Sequence, residues 1–445
     1  MTAVLAIAMT LAGDLARNVV DAVPLALPLA LVAGTHAATW GAYKDAPYEG
    51  YHPLRQLRTL VVAGVAALVG VMTGIVDAHT VVPAVGVVYA LERLATEWWK
   101  TIVRVDDQSA YTIPMRLGFR GSPVDVNWIR YGVGALVLAT MAGLGVGVNG
   151  AQAAAEHAFG GLPWWVLVAT VGGLGGWATA VGGAWKDAPV EGFSFWKFLR
   201  SPVVATSWAV PLSLMTNDWL TLCLAAGGLS VFSIETYKTF WTGGRPPGKF
   251  ANQPLRDHLP ATRHVMGLLH TGAWLMFAAA ALRESLSSLA PGLRVADVGL
   301  LSAAGSSTWL HLLSAPHAVS GAVSSTLVAA GALLAAVFVL RANLRLTALS
   351  ANSASLAGAT AALSVGVGFL PVTGAAAGLG TIATGAAVSV LAATAALVQP
   401  RAGRGLWTRG ASPRAPASLP ACSSQLPDWA ARRCPGPQVS FSRRC

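Results

Sequence analysis

The sequence predicts an all-α integral membrane protein, a polytopic helical bundle built on two parallel four-helix repeats plus a C-terminal helical extension. Three observations predict it. Of the 445 residues, 54% are hydrophobic and only 11% charged, with a mean hydropathy of +0.57. Soluble domains carry about 25% charged residues. Apolar runs near ~20 residues recur, the length a helix needs to cross a bilayer core of about 30 Å. Finally, Lys44-Asp45-Ala46-Pro47-Tyr48-Glu49-Gly50 returns 142 residues later as Lys186-Asp187-Ala188-Pro189-Val190-Glu191-Gly192.

The match continues without a gap to Leu57-Arg58 and Leu199-Arg200, with 8 of 15 positions identical. Tyr51 pairs with Phe193 and Arg55 with Lys197. Two more matches follow in the same order: Glu97-Trp98-Trp99-Lys100-Thr101 with Glu235-Thr236-Tyr237-Lys238-Thr239, and Pro114-Met115-Arg116 with Pro254-Leu255-Arg256. Three ordered matches read as an internal duplication.

The elements follow from apolar runs and their breakers. Residues 1–21 form a lead-in with a short apolar run, a poor signal peptide because no basic residue precedes that run. The first repeat, 22–150, holds span one (22–43), span two (59–76), span three (81–103) and span four (129–148). Pro47 and Gly50 are expected to break the chain into a loop after span one. The second repeat, 151–283, holds span five (162–184), span six (202–215), span seven (219–241) and span eight (265–282). Residues 284–400 carry about three further spans, at 319–340, 353–370 and 373–398. Residues 401–445, with eight arginines against Asp428 alone, read as a basic disordered tail. Cys223, Cys422, Cys434 and Cys445 have neither metal-ligand nor disulfide-framework spacing.

An even number of spans per repeat gives both repeats the same orientation, related by an axis along the membrane normal. All six lysines then fall on one face. The positive-inside bias assigns that face, with its motif loops, to the cytoplasm. The net charge of +11 thus reports topology and tail composition, with no nucleic-acid partner implied.

Candidate substrate or gate residues are the charged members of the matched motifs: Lys44, Asp45, Glu49, Arg58, Glu97, Lys100 and Arg116, doubled by Lys186, Asp187, Glu191, Arg200, Glu235, Lys238 and Arg256. Carboxylates inside a membrane are costly and face a partner or a cavity. Glu97/Lys100 and Glu235/Lys238 are spaced i,i+3 on one helical face, so a local ion pair is the bland reading. A second reading is a latch between motif loops and the third and fourth spans. A third is a phosphate clamp by the basic members, with Asp45, Glu49 and Glu97 available to Mg²⁺. An interfacial belt that binds anionic lipid also accounts for the set. Scattered histidines read as ordinary polar contacts, and tryptophans at span ends as an aromatic belt. No Walker A, His-Glu-x-x-His or Gly-x-Ser-x-Gly pattern occurs, and the sequence leaves the cofactor unknown. The leading expectation is a permease for a small or amphipathic solute, in contact with membrane lipids. The alternatives are a membrane enzyme acting on a lipid or isoprenoid phosphate, and a structural or assembly protein.

Overall fold

The computed structural model describes residues 2–77, 80–242, 246–289 and 316–347, with side chains for 18–77, 80–242, 246–285 and 323–346. The expected spans at 353–370 and 373–398 and the tail lie outside the described residues. The chain forms α1 (Thr2–Glu49), α2 (Pro53–Met72), α3 (Val81–Trp98), α4 (Asn127–Phe159), α5 (Trp164–Leu167), α6 (Gly173–Glu191), α7 (Phe195–Leu212), α8 (Trp219–Thr236), α9 (Pro260–Leu289) and α10 (Pro316–Thr347). A π-helical turn, Val168–Gly172, joins α5 to α6 in one rod. Among the described residues seven helices are long and apolar enough to cross a membrane. The protein is therefore built as a multi-pass helical membrane protein. Two helices fall short of that standard: α3, which carries Glu92, Arg93 and Glu97, and α7, which has prolines at 202 and 211.

The Lys-Asp-Ala-Pro motifs are helix ends, which corrects the loop expected there. α1 continues through Pro47 to Glu49, and α6 through Pro189 to Glu191. A proline removes one N–H, a tolerable loss within the last turn. The stop comes from Gly50 (φ +88°) and Gly192 (φ +82°), a conformation that favours glycine. Their N–H groups donate to Ala46 and Ala188, at 2.8 and 2.9 Å. Helical spacing then puts Asp45 with Glu49, and Asp187 with Glu191, one turn apart on a single face. α7 also begins earlier than expected. Ser194 caps it by accepting from the Lys197 N–H, and Pro202 lies inside the helix.

α3 and α8 share a second feature. Each runs into a five-residue π turn, Trp99–Val103 and Tyr237–Trp241, which carries Lys100 and Lys238. Such turns are uncommon and often mark functional positions. Among the described residues the one strand pairing is Gly118–Phe119 with Ser122–Pro123, turned by Arg120 and Gly121.

α8 lies at the centre, buried on every side. It meets α3 backbone to backbone: a Cβ on Gly86 would lie 2.7 Å from the Ala225 carbonyl, and one on Gly228 would strike the Gly86 carbonyl. Gly175 of α6 approaches Gly227 in the same way. Small residues are how membrane helices gain contact where burial from water gives no drive. α1 packs against α2, α3 and α9. α10 packs along α9, placing Val328, Ala332, Ala336 and Val339 in the common core. Asn343 reaches the His264 carbonyl at 3.0 Å, and Ser324 donates to Pro211 at 2.7 Å. This part of the C-terminal extension is thus integral to the bundle. α4 buries only Arg130 and Gly134, leaving its apolar surface outward.

Gly86→Leu is expected to force α3 from α8, at a cost of about 1–3 kcal/mol from overpacking. Thermal unfolding in detergent should fall accordingly, while Gly64→Leu, which meets open space, leaves it unchanged.

Candidate functional site at the charged end of the bundle

The ends of α1, α3, α6 and α8 and two polar loops, 104–126 and 246–259, gather at one end of the bundle. The loops dock on each other, with the Thr112 N–H donating to the Lys249 carbonyl at 2.7 Å. The Pro47 carbonyl accepts from the Arg256 and Asp257 N–H groups at 3.0 and 3.1 Å, so the end of α1 is tied to the second loop.

Ion pairs then link the first segment (22–150) to the second (151–283). Lys44 donates to Glu235 at 2.9 Å, and Lys238 donates to the other oxygen of the same carboxylate at 2.7 Å. Lys249 donates to Asp45 at 2.7 Å and to Glu49 at 3.5 Å. Asp187 and Glu191 hold Lys197 in the same manner, at 3.0 and 2.5 Å. Each Asp-x-x-x-Glu face therefore grips one lysine. The first takes it from the opposite segment, and the second from the next helix. Glu49 also pairs with Arg55.

Glu97 pairs with Lys100 at 3.0 Å and with Arg93. The i,i+3 pairs foreseen in the sequence exist, and each also has a third member, Arg93 or Lys44. Glu92 is fully buried. Its Oε1 accepts from Thr96 at 2.6 Å, and its Oε2 has no hydrogen-bond partner among the described residues. Lys186 lies against the Met115 sulfur at 3.5 Å. Two candidates sit apart: Arg116 pairs with Asp125 at 2.7 Å inside its own loop, and Arg256 donates to the Glu49 carbonyl at 3.3 Å. Arg200 keeps a buried Nε without a partner among the described residues. The Mg²⁺ reading finds no support, because Asp45 and Glu49 face Lys249 while Glu97 faces Lys100 and Arg93. No group of three or more His, Cys, Asp or Glu suited to a metal occurs among the described residues.

A cavity of about 100 Å³ opens between α1, α2 and α3 beneath Lys249. Six cations line it (Arg55, Arg58, Arg93, Lys100, Arg104 and Lys249) against two carboxylates, Asp45 and Glu49. Five of the cations are engaged, Arg104 with Asp106 at 2.7 Å. The Arg58 guanidinium makes no direct hydrogen bond or ion pair among the described residues, and Glu92 and Asp106 act on it from a distance. Asp45 Oδ1 is buried and likewise without a hydrogen bond among them. In the loop beside the cavity, the Ser109 N–H and hydroxyl donate to Asp107 and hold its carboxyl below the usual range.

Below the cavity lies a polar layer that sequence reading missed. His36 (α1) and His270 (α9) are fully buried, with ring centres 4.2 Å apart. His36 bonds Tyr89 Oη at 3.1 Å and Thr236 Oγ1 at 2.9 Å. His270 bonds Thr236 Oγ1 and Thr39 Oγ1, both at 2.9 Å. Trp40 and Trp274 donate to Tyr89 and Thr236 at 3.0 and 3.1 Å. Trp40 also carries Lys44 and Arg93 on its ring, joining this layer to the ionic one. The two histidines are 234 positions apart, and neither lies in a matched motif. The one available signal was polar residues in otherwise apolar spans.

Glu235→Gln is expected to leave Lys44 and Lys238 side by side without a counter-charge. Stranding a buried charge costs about 3–5 kcal/mol, and the partial exposure of Lys238 places this case at the low end. Chemical unfolding in detergent should register it, with Lys44→Met added to Glu235→Gln restoring part of the loss. Searches of protein-family models, curated proteins and solved structures find no match to this chain.

Proposed function

We propose that this protein is a permease-like membrane protein, built by tandem duplication of a four-helix unit, with its charged end at the cytoplasmic face. Its substrate is a small or amphipathic solute bearing an anionic group. One observation carries the reading. Ion pairs join the two segments beside a cation-rich cavity that adjoins a buried polar layer: Lys249–Asp45/Glu49 forms part of its wall, and Lys44–Glu235 lies one residue away along α1. Pseudo-symmetric carriers work by one unit rocking against the other; here the cavity lies within the first segment, and Lys249 is the wall residue that the second segment contributes. Arg58 supplies the charge for the solute, and Asp45 Oδ1 a free acceptor. The duplication is supported by the two glycine-stopped motif helices and by the two π turns at equivalent places. The cytoplasmic assignment is supported by the lysines gathered at this end.

A second reading, a membrane enzyme acting on a lipid or isoprenoid phosphate, is favoured by α2. That helix offers Arg55 and Arg58 to the cavity and exposes Leu54, Leu57, Val61 and Val65 outward, where a lipid tail would lie.

Two measurements test the permease reading. With native cysteines replaced, a cysteine at Ala38, buried in the cavity wall, should react slowly with an impermeant thiol reagent. The Lys44→Gln/Glu235→Gln pair should speed that reaction at least tenfold, and an unchanged rate counts against a gate. In proteoliposomes on a solid-supported membrane, inorganic phosphate, glycerol 3-phosphate and citrate are offered in turn. At least one should evoke a charge displacement that Arg58→Gln abolishes. No response to any of them, with phosphorylated lipid binding intact, would move the assignment to the enzyme.

A further inference from the structure

Counting protons in the buried layer yields its direction. Tyr89 Oη accepts from Trp40, and the only acceptor within reach of its own proton among the described residues is His36 Nδ1. Tyr89 therefore donates to His36, whose proton sits on Nε2 and is donated to Thr236 Oγ1. Thr236 already accepts from Trp274, so both its lone pairs are used. Its hydroxyl has two acceptors in reach, the Phe232 carbonyl at 3.1 Å and His270 Nε2 at 2.9 Å. The ring nitrogen has no other partner among the described residues, so the hydroxyl serves it, which places the His270 proton on Nδ1, donating to Thr39. Thr39 passes its own proton to the Thr35 carbonyl at 2.6 Å. Every group is satisfied, and every donor points the same way. Reversal leaves the Tyr89 hydroxyl without an acceptor, at about 1–3 kcal/mol for a buried group. The ring tautomers follow from this network.

We propose that Tyr89, His36, Thr236, His270 and Thr39 form a one-way hydrogen-bond relay that takes up a proton from the cavity side, making the proton the coupling ion of the permease. The open place in the chain is the second lone pair of Tyr89 Oη. Trp40, which bonds that oxygen, forms part of the cavity wall together with Arg93. Uptake balances as follows. One proton arrives at Tyr89 Oη, and the original Tyr89 proton moves to His36 Nδ1. The His36 Nε2 proton moves to Thr236, and the Thr236 proton to His270 Nε2. His270 retains its Nδ1 proton and becomes imidazolium, while His36 is left as the other neutral tautomer. No other bond changes.

The charged groups around the layer are Lys44 on α1, Glu92 and Arg93 on α3, Glu235 followed by Lys238 on α8, and Arg263 on α9. Cations outnumber acids, so an added proton is disfavoured while the cavity is empty. An anion beside Arg58 lowers that repulsion, and by reciprocity the proton favours the anion. The coupling rests on the permease reading. The relay and its tautomers do not.

The test is ¹⁵N NMR of the full chain in nanodiscs with labelled histidine, the two signals assigned with His36→Gln and His270→Gln. At pH 8 the expected pattern is Nε2–H for His36 and Nδ1–H for His270. On acidification His270 should become doubly protonated as His36 switches to Nδ1–H, in a single shared transition. Thr236→Val should separate the two events by about one pH unit, a tenfold difference in proton affinity, and Thr236→Ser should keep them joined. Opposite tautomers at pH 8, or a His36 signal that stays fixed while His270 titrates, overturn the relay. If Thr236→Val does not fold, that wild-type titration still decides. Inorganic phosphate, added to the nanodiscs, should move the shared transition to higher pH, and an unmoved transition would count against the coupling. Loss of anion-evoked currents with the NMR signature intact would sink the permease reading and leave the relay standing.

Discussion

The Lys44–Glu235 ion pair fixes how the two segments meet. It joins the last turns of α1 to the end of α8, the helix around which the bundle packs. Breaking a largely buried pair by removing one partner leaves an uncompensated charge, which is costly. The pair therefore sets the register of α1 against α8, and that register delivers His36 to Thr236 two turns away on α1, at 2.9 Å. It also brings Asp45 and Glu49 under Lys249, so the loop lock and the polar layer depend on the same crossing.

Close packing and polar bonding share the work along α8. Toward one end, Gly86, Ala225 and Gly228 bring the α3 and α8 backbones into contact. That approach is what allows Tyr89 of α3 to stand beside Phe232 and His36. His36 is stacked on Phe232 at 3.3 Å between ring centres, and Trp274 lies edge-on to both, so the layer is walled by aromatics. A dry wall strengthens each bond within it and raises the cost of any group left unpaired. The direction of the relay follows from that cost.

How much of this was legible in the sequence varies by residue. Each of the nine spans expected between residues 22 and 340 falls largely in a helix, and seven of those helices are long and apolar enough to cross a membrane. Glu235/Lys238 and Glu97/Lys100 pair as their i,i+3 spacing requires. Pro47 misled, since a proline in the last turn of a helix costs little and Gly50 is the true stop. Arg116 was grouped with the site by its place in a matched motif, but Asp125 lies nearer in its own loop. Lys249 completes the Asp45/Glu49 grip and belongs to no motif. His36, Thr39 and His270 interrupt apolar runs without periodicity. Their meeting depends on helix crossings that no local spacing encodes.

The two segments keep their ionic frames yet differ inside. Glu49 with Arg55 and Glu191 with Lys197 are equivalent pairs. By the same offsets, His36 corresponds to Ala178, Thr236 to Trp98 and His270 to Arg130. None of those three can rebuild the chain: Ala178 has no donor, Trp98 donates to the Gly134 carbonyl, and Arg130 bonds Asn127. α4, the counterpart of α9, lies almost wholly outside the core, while α9 is pressed between α1 and α10. On the duplication reading, then, the surface frame was retained in both units because it holds the helix ends. The buried histidine chain lies where α1, α3, α8 and α9 meet. α10 secures the helix that carries His270.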